Sequence, residues 1–171
     1  MMQTIIKCPK PIIAEVEGTA TAAGCQLVAS CDLAYASSSA KFATPGVNIG
    51  LFCSTPMVAI SRNLSNKHSM EMLLTGELIS SDKAAKIGLI NDVIEINELK
   101  DFVLDKAKKI SKKSSVTLKI GKEAFYKQLD MKLSDAYDYA SKVMVQNMLK
   151  LDAKEGIDAF IDKREPNWKD K

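Results

Sequence analysis

Charge of one sign, histidine, paired cysteines and long apolar runs are all scarce in this chain of 171 residues. Lys and Arg number 24 against 21 Asp and Glu, a formal net charge of +3, so composition gives nucleic-acid binding no electrostatic support. No apolar run approaches the length of a membrane span, and no early basic-then-apolar segment reads as a signal peptide. The four cysteines (Cys8, Cys25, Cys31 and Cys53) sit in apolar contexts without the spacing of a metal site or a disulfide framework. Reduced, buried thiols are therefore expected, as in a cytosol or a mitochondrial matrix. The single histidine, His68, opens a helical stretch with Met70, Met72 and Leu73 and has no Ser or Cys partner nearby. It reads as a surface imidazole rather than a catalytic one. Low-complexity segments and internal repeats are also missing.

What is present is an ordinary globular composition, 46% hydrophobic and 26% charged, in a chain long enough to bury a core. From Ile12 to about Thr55 it is apolar, rich in Ala, Gly and Ser; beyond His68 it is Lys-rich with helical periodicity. Ile12 to Val16 reads as a strand ended by Gly18, Thr21 to Ser30 as a helix, and Leu33 to Ala36 as the next strand. Elements spaced this closely indicate a parallel β-α-β arrangement. Further helices are expected over Ser54 to Asn63, Lys67 to Leu74 (closed by Gly76), and Lys83 to Ile87, the last capped by Ser81 or Asp82 and stopped by Gly88. Ile90 to Ile94 reads as a short strand or extended link. Asn97 to Ser111, Val116 to Gln128, Ser134 to Lys150 with Ser134 as N-cap, and Glu155 to Lys163 complete the helices, and Pro166 breaks the last.

Two segments carry more than periodicity. The first runs from Lys10-Pro11-Ile12-Ile13-Ala14 through Gly18 to Gly24-Cys25-Gln26-Leu27 and Cys31-Asp32-Leu33; the second is Phe42-Ala43-Thr44-Pro45-Gly46, followed by Gly50. Together they resemble the enoyl-CoA hydratase/isomerase (crotonase) family, and the ending from Gly156 through Lys163 to Pro166 and Trp168 is similar to that family's ending. The resemblance implies an α/β fold. Residues 1–65 would be the C-terminal part of the crotonase β-β-α spiral with half of the oxyanion hole. Residues 66–171 would be a helical region that closes the site and builds a homotrimer or hexamer. The family's N-terminal strands and first thioester-binding loop have no counterpart here, so the chain reads as truncated or internally initiated.

The same resemblance assigns residues. The Ala23 N–H would be one donor of the oxyanion hole, with Ala22 and Gly24 letting the backbone approach a thioester closely. Gln26 and Gly46 stand where the hydratases place their two glutamates. Gln26 orients water but has no basicity near neutral pH, and Gly46 has no side chain, so hydratase activity is expected to be weak or absent. Ser54 falls where some members place a further acid, with Cys53, Thr55, Thr44 and Asn48 as neighbours in the same loop, although Ser54-Thr55-Pro56 reads more readily as the cap and first turn of a helix. Glu15 and Glu17 are the carboxylates nearest the first motif, on one strand face with Ile13, and Glu17 reads as solvated. Asp32 reads as fixing a turn. Lys163 either reaches the adenosine or phosphate end of CoA or is a solvated basic helix end. Met131, Met144 and Met148 read as a packing face. The implied partner is an acyl-CoA thioester from fatty-acid metabolism, with no separate cofactor, since CoA enters with the substrate, and no metal. The location would be cytoplasmic in a bacterium and the mitochondrial matrix in a eukaryote. A non-catalytic acyl-CoA-binding or regulatory protein, or a non-functional fragment, is the alternative.

Overall fold

The computed structural model describes residues 1–170 as an α/β structure with two compact units, the first comprising residues 1–6 and 12–107 and the second residues 7–11 and 108–170. A short helix α1 (Met2–Lys7), not foreseen from periodicity, precedes the first strand.

In the first unit, strands β1 (Ile13–Val16), β3 (Leu33–Ser37) and β6 (Asp92–Ile94) form a parallel sheet in the order β1-β3-β6. The register pairs Ala14 with Ala34 and Tyr35 with Asp92. Alternation along β3 divides the packing: Ala34 and Ala36 enter the main core with Val16, Phe42, Ile60 and Met72, and Tyr35 faces Leu99 and Val103. Those two residues lie on α6 (Ile96–Ser111), and Tyr35 meets Phe102 edge to face with ring centroids 5.1 Å apart. Ile13 belongs to the Tyr35 side, and Glu15 and Glu17 are exposed.

A second small sheet, β2 (Thr19–Thr21), β4 (Lys41–Ala43) and β5 (Ile79–Ser80), pairs β2 parallel with β4 and β4 antiparallel with β5. Its strands are only two or three residues long, too short for a period-2 pattern to emerge from sequence. Helix α2 (Ala23–Ser30) follows β2 directly and buries Cys25, Val28 and Ala29, an i, i+3, i+4 stripe of modest side chains. Asn63, beyond α3 (Ser54–Ile60), donates from Nδ2 to the carbonyls of Ala29 and Ala59, both at 2.8 Å, tying the ends of α2 and α3 together.

Helix α4 (Asn66–Thr75) is capped by the Ser65 hydroxyl and closed by left-handed Gly76. Helix α5 (Ser81–Ile87) is capped by Ser80, not by Ser81 or Asp82. Ser81 is fully buried, and its hydroxyl donates to the Ser38 carbonyl at 3.1 Å. Leu89 and Ile90 are buried in the core, and β6 starts at Asp92, where its pairing with Tyr35 begins. The cysteine expectation holds for Cys25 and Cys53; Cys8 and Cys31 are only half-buried, and none of the four is in a disulfide.

The second unit holds α7 (Ser115–Gln128), α8 (Leu133–Met148) and α9 (Leu151–Ile161). Ser134 lies inside the first turn of α8 and does not cap it; Lys132 precedes the helix without a side-chain cap. The final helix starts at Leu151, four residues before the expected Glu155. Asp152 in its first turn is buried, and its carboxylate accepts the N–H groups of Lys169 at 2.7 Å and Asp170 at 3.1 Å. Those bonds hold the chain end against the unit, and Trp168 joins them by donating from its indole to the Lys112 carbonyl at 2.8 Å. Neither α7 nor α8 has a fully buried residue; Met144 and Met148 are exposed and Met131 is half-buried, so the expected methionine packing face is not buried among the described residues.

Glu155 clamps the same tail, accepting from the Arg164 guanidinium at 2.7 and 3.1 Å and from the Asn167 N–H at 2.6 Å. The hydrogen bond from Arg164, then that from Asn167, hold its carboxyl down at about 2. An acid depressed on folding stabilises above its unfolded value, and that stability is lost as pH falls toward the folded value. The melting temperature of Glu155→Gln is expected to lie below that of the parent at neutral pH, with the two converging as pH drops from 4.5 to about 2. Parallel melting curves over that window would show that the carboxylate's charge plays no part.

Candidate functional site

The site begins where β2 hands over to α2. The Ala22 N–H donates to the Ala43 carbonyl at 3.0 Å, extending the pairing of Thr21 with Ala43 by one bond. Ala22 itself lies at φ 47° and ψ −112°. These angles are close to those of the first central residue of a type II′ turn, where glycine is usual. Holding alanine there costs about 1–3 kcal/mol, and such strain clusters at ligand-binding positions. It reverses the chain within one residue, so that α2 starts at Ala23 with no side chain capping it. The first intrahelical bond runs from the Gln26 N–H to the Ala22 carbonyl at 3.0 Å. The N–H of Ala23, an exposed residue, is therefore at the positive end of the helix dipole. Gly24 sits close over β2: a Cβ there would lie 3.9 Å from that of Ala20, an ordinary contact. The Gln26 side chain is half-buried one turn along.

The second segment leaves β4 through Thr44, which is fully buried and whose hydroxyl donates to the Met72 carbonyl at 2.8 Å. Thr44 is thus committed to holding α4 and is not a free site hydroxyl. A tight 3₁₀ turn, Pro45–Ile49, then ends at left-handed Gly50. The Leu51 N–H returns to the Gly46 carbonyl at 2.9 Å, and the Gly46 N–H donates to the Cys53 thiol sulfur at 3.3 Å. Ser54 is exposed at the start of α3, and its hydroxyl donates to the Phe52 carbonyl at 3.3 Å. It gives the helix no side-chain cap. Asn48 and Thr55 are exposed neighbours of the loop.

Burial, and secondarily the neighbouring Cys53, push the Cys25 thiol up to about 12, so Cys25 is neutral and inert at physiological pH. Asp32 accepts the Ile12 N–H at 2.7 Å, the turn-fixing role expected of it. His68 Nδ1 faces Glu71 at 3.7 Å on α4. Lys163 belongs to the second unit, exposed just beyond α9 at φ 53°. No group of three His, Cys, Asp or Glu side chains suited to a metal ion occurs among the described residues. The structure therefore joins Ala22, Ala23, Gly24 and Gln26 on one segment with Gly46 and Ser54 on the next, through the Ala22–Ala43 bond. Cys53 reads from sequence only as a neighbour in this loop; the folded turn brings its sulfur back onto the Gly46 N–H, a contact that spacing along the chain does not show.

A strand that turns through a strained small residue into an uncapped helix, beside a loop built on Pro45-Gly46, sits here within an α/β fold. The sequence model of the enoyl-CoA hydratase/isomerase family matches residues 1–171, and the chain belongs to that family. It is 52% identical over 168 residues to the rat mitochondrial enoyl-CoA hydratase domain-containing protein 3, covering 98% of this chain and 56% of that protein. The human mitochondrial protein of the same name is 49% identical over 168 residues, with 98% of this chain and 55% of that protein covered. The crystal structure of human enoyl-CoA hydratase domain-containing protein 3 superposes at a TM-score of 0.95 with 50% identity, covering 98% of this chain and 66% of that one. An enoyl-CoA hydratase structure from Mycobacterium smegmatis matches at 0.95 with 47% identity, covering 98% and 65%. The chain thus spans a little over half the length of these curated relatives.

The strain at Ala22 is directly testable by urea denaturation. Ala22→Gly is expected to stabilise by about 1 kcal/mol and Ala22→Val to destabilise by about 1–3 kcal/mol, since a β-branched residue tolerates positive φ least. A valine variant as stable as the parent would mean that the turn does not hold this geometry.

Proposed function

We propose that this chain contributes to an acyl-CoA thioester site in which the Ala23 N–H stabilises the enolate-like oxygen of the thioester. The observation that carries this reading is the strained Ala22 turn, which leaves the uncapped N-terminus of α2 exposed. Such a donor, aided by the helix dipole, is worth most on charge that develops during reaction. Ala22 and Gly24 flank it with side chains too small to block a ligand.

The reaction would not be efficient hydration. Adding water to a trans-2-enoyl thioester needs one group to activate water and another to deliver a proton. Gln26 hydrogen-bonds a water without basicity, and Gly46 offers nothing. Each missing group is worth roughly 10²–10⁴ in rate. Ser54, its hydroxyl directed to the Phe52 carbonyl, is a poor substitute. Lys163 offers a solvent-exposed ammonium for the phosphates of CoA. Exposed apolar side chains on α8 and α9, including Met148 and Phe160, and on Leu149 between them, favour assembly as a homotrimer or hexamer. A place in fatty-acid metabolism follows the family, and a mitochondrial location follows the naming of the relatives if the source is a eukaryote. The lack of any carboxylate side chain at positions 26 and 46 favours one further reading, a non-catalytic acyl-CoA-binding or regulatory role on the same scaffold.

Calorimetric titration with crotonyl-CoA and with free CoA, run beside a hydration assay, tests the proposal. Binding that depends on the thioester, with hydration at least about 10²-fold below that of a two-glutamate hydratase, is the expected result. Failure to bind crotonyl-CoA removes the thioester site from this chain and leaves a non-functional fragment as its reading. Hydration at full hydratase rates refutes the assignment of Gln26 and Gly46.

A further inference from the structure

At position 46 the absent side chain is more than a missing functional group. A Cβ on Gly46 would stand 2.5 Å from the Leu51 carbonyl oxygen and 2.9 Å from the Cys53 sulfur, closer than non-bonded atoms approach. Neither obstacle is the loose end of a flexible chain. Leu51 is tied back to position 46 through its N–H, which donates to the Gly46 carbonyl at 2.9 Å, and its carbonyl is main chain rather than a side-chain end. The Cys53 sulfur is held by the Gly46 N–H at 3.3 Å, and the Cys53 carbonyl accepts the Met57 N–H at 2.9 Å as α3 begins. Gly50, at φ 77°, closes the turn between them. Cys53 is itself buried at 8% exposure, so its thiol fills space inside the loop.

We propose that the closed turn from Gly46 to Cys53 is a specificity-determining element: the Cys53 thiol and the Leu51 carbonyl occupy the volume through which any side chain at position 46 would leave the backbone, so that the second acid–base position is shut by protein. This rests on the acyl-CoA reading of the site, and Cys53 acts in it as a positioning residue. Restoring glutamates at positions 26 and 46 therefore does not restore a hydratase.

The test is a double-mutant cycle on this chain with Gly46→Ala and Cys53→Ala, read by thermal melting, together with crotonyl-CoA hydration by Gln26→Glu and by Gln26→Glu/Gly46→Glu. Gly46→Ala is expected to lower the melting temperature by about 3–10 °C. Cys53→Ala is expected to cost less in the Gly46→Ala background than alone, because it removes one of the two obstacles. The double glutamate variant is expected to hydrate no faster than Gln26→Glu. Melting of Gly46→Ala within about 1 °C of the parent, or a gain in hydration of about ten-fold or more from Gly46→Glu, overturns the proposal. The melting arm decides it even if the parent binds no thioester, which would instead sink the acyl-CoA reading alone.

Discussion

The hydrogen bond from the Ala22 N–H to the Ala43 carbonyl fixes two chain segments at one point. On one side it ends β2 and forces the reversal that starts α2 at Ala23. On the other it holds the end of β4, from which the buried Thr44 and the Pro45–Ile49 turn depart. Both segments that bear on chemistry therefore leave from the same strand pair, and their separation follows from a parallel register only three residues long. Bond energies of this kind are modest, on the order of 1 kcal/mol net, so the point is held by what packs around it. Phe42, Ala20 and Cys25, all buried, make up that packing.

Much of this architecture was legible in the sequence, and the exceptions share a cause. The strands recognised from sequence near Ile12, Leu33 and Ile90 are the three members of the β1-β3-β6 sheet. Each borders or contains apolar residues that enter the core. The missed strands are the three members of the other sheet, where Thr19–Thr21, Lys41–Ala43 and Ile79–Ser80 are too short to show alternation. Helix caps failed for a similar reason. Ser81 and Ser134 look like caps beside helical patterns, but the Ser81 hydroxyl serves Ser38 across the fold, and α8 starts before Ser134. At the site, the positions of Ala23, Gln26 and Gly46 came from motif similarity. The strain at Ala22 and the contact of Cys53 with Gly46 exist only after folding, because the latter pair lies seven positions apart along the turn.

Family membership and local geometry bear on different questions here. The family sets the scaffold and the class of ligand considered. The geometry says which chemical groups remain on it: a backbone donor at a helix start, a glutamine, and a glycine with no room around it. In the function proposed above, an oxyanion donor without acid–base partners would suit holding and polarising a thioester more than adding water across its double bond.

The indole of Trp168 has a consequence for watching this molecule in solution. It is the sole tryptophan of the sequence, it donates to the Lys112 carbonyl, and it packs so near Gly156 that a Cβ there would stand 3.3 Å from the ring. All these neighbours belong to the second compact unit. Tryptophan emission is therefore a local optical probe of the helical unit and its tail. Loosening of the sheets around Ala22 and Gly46, in the first unit, is read from backbone ellipticity. Comparing the two signals during a single melt shows whether the units come apart together or in turn.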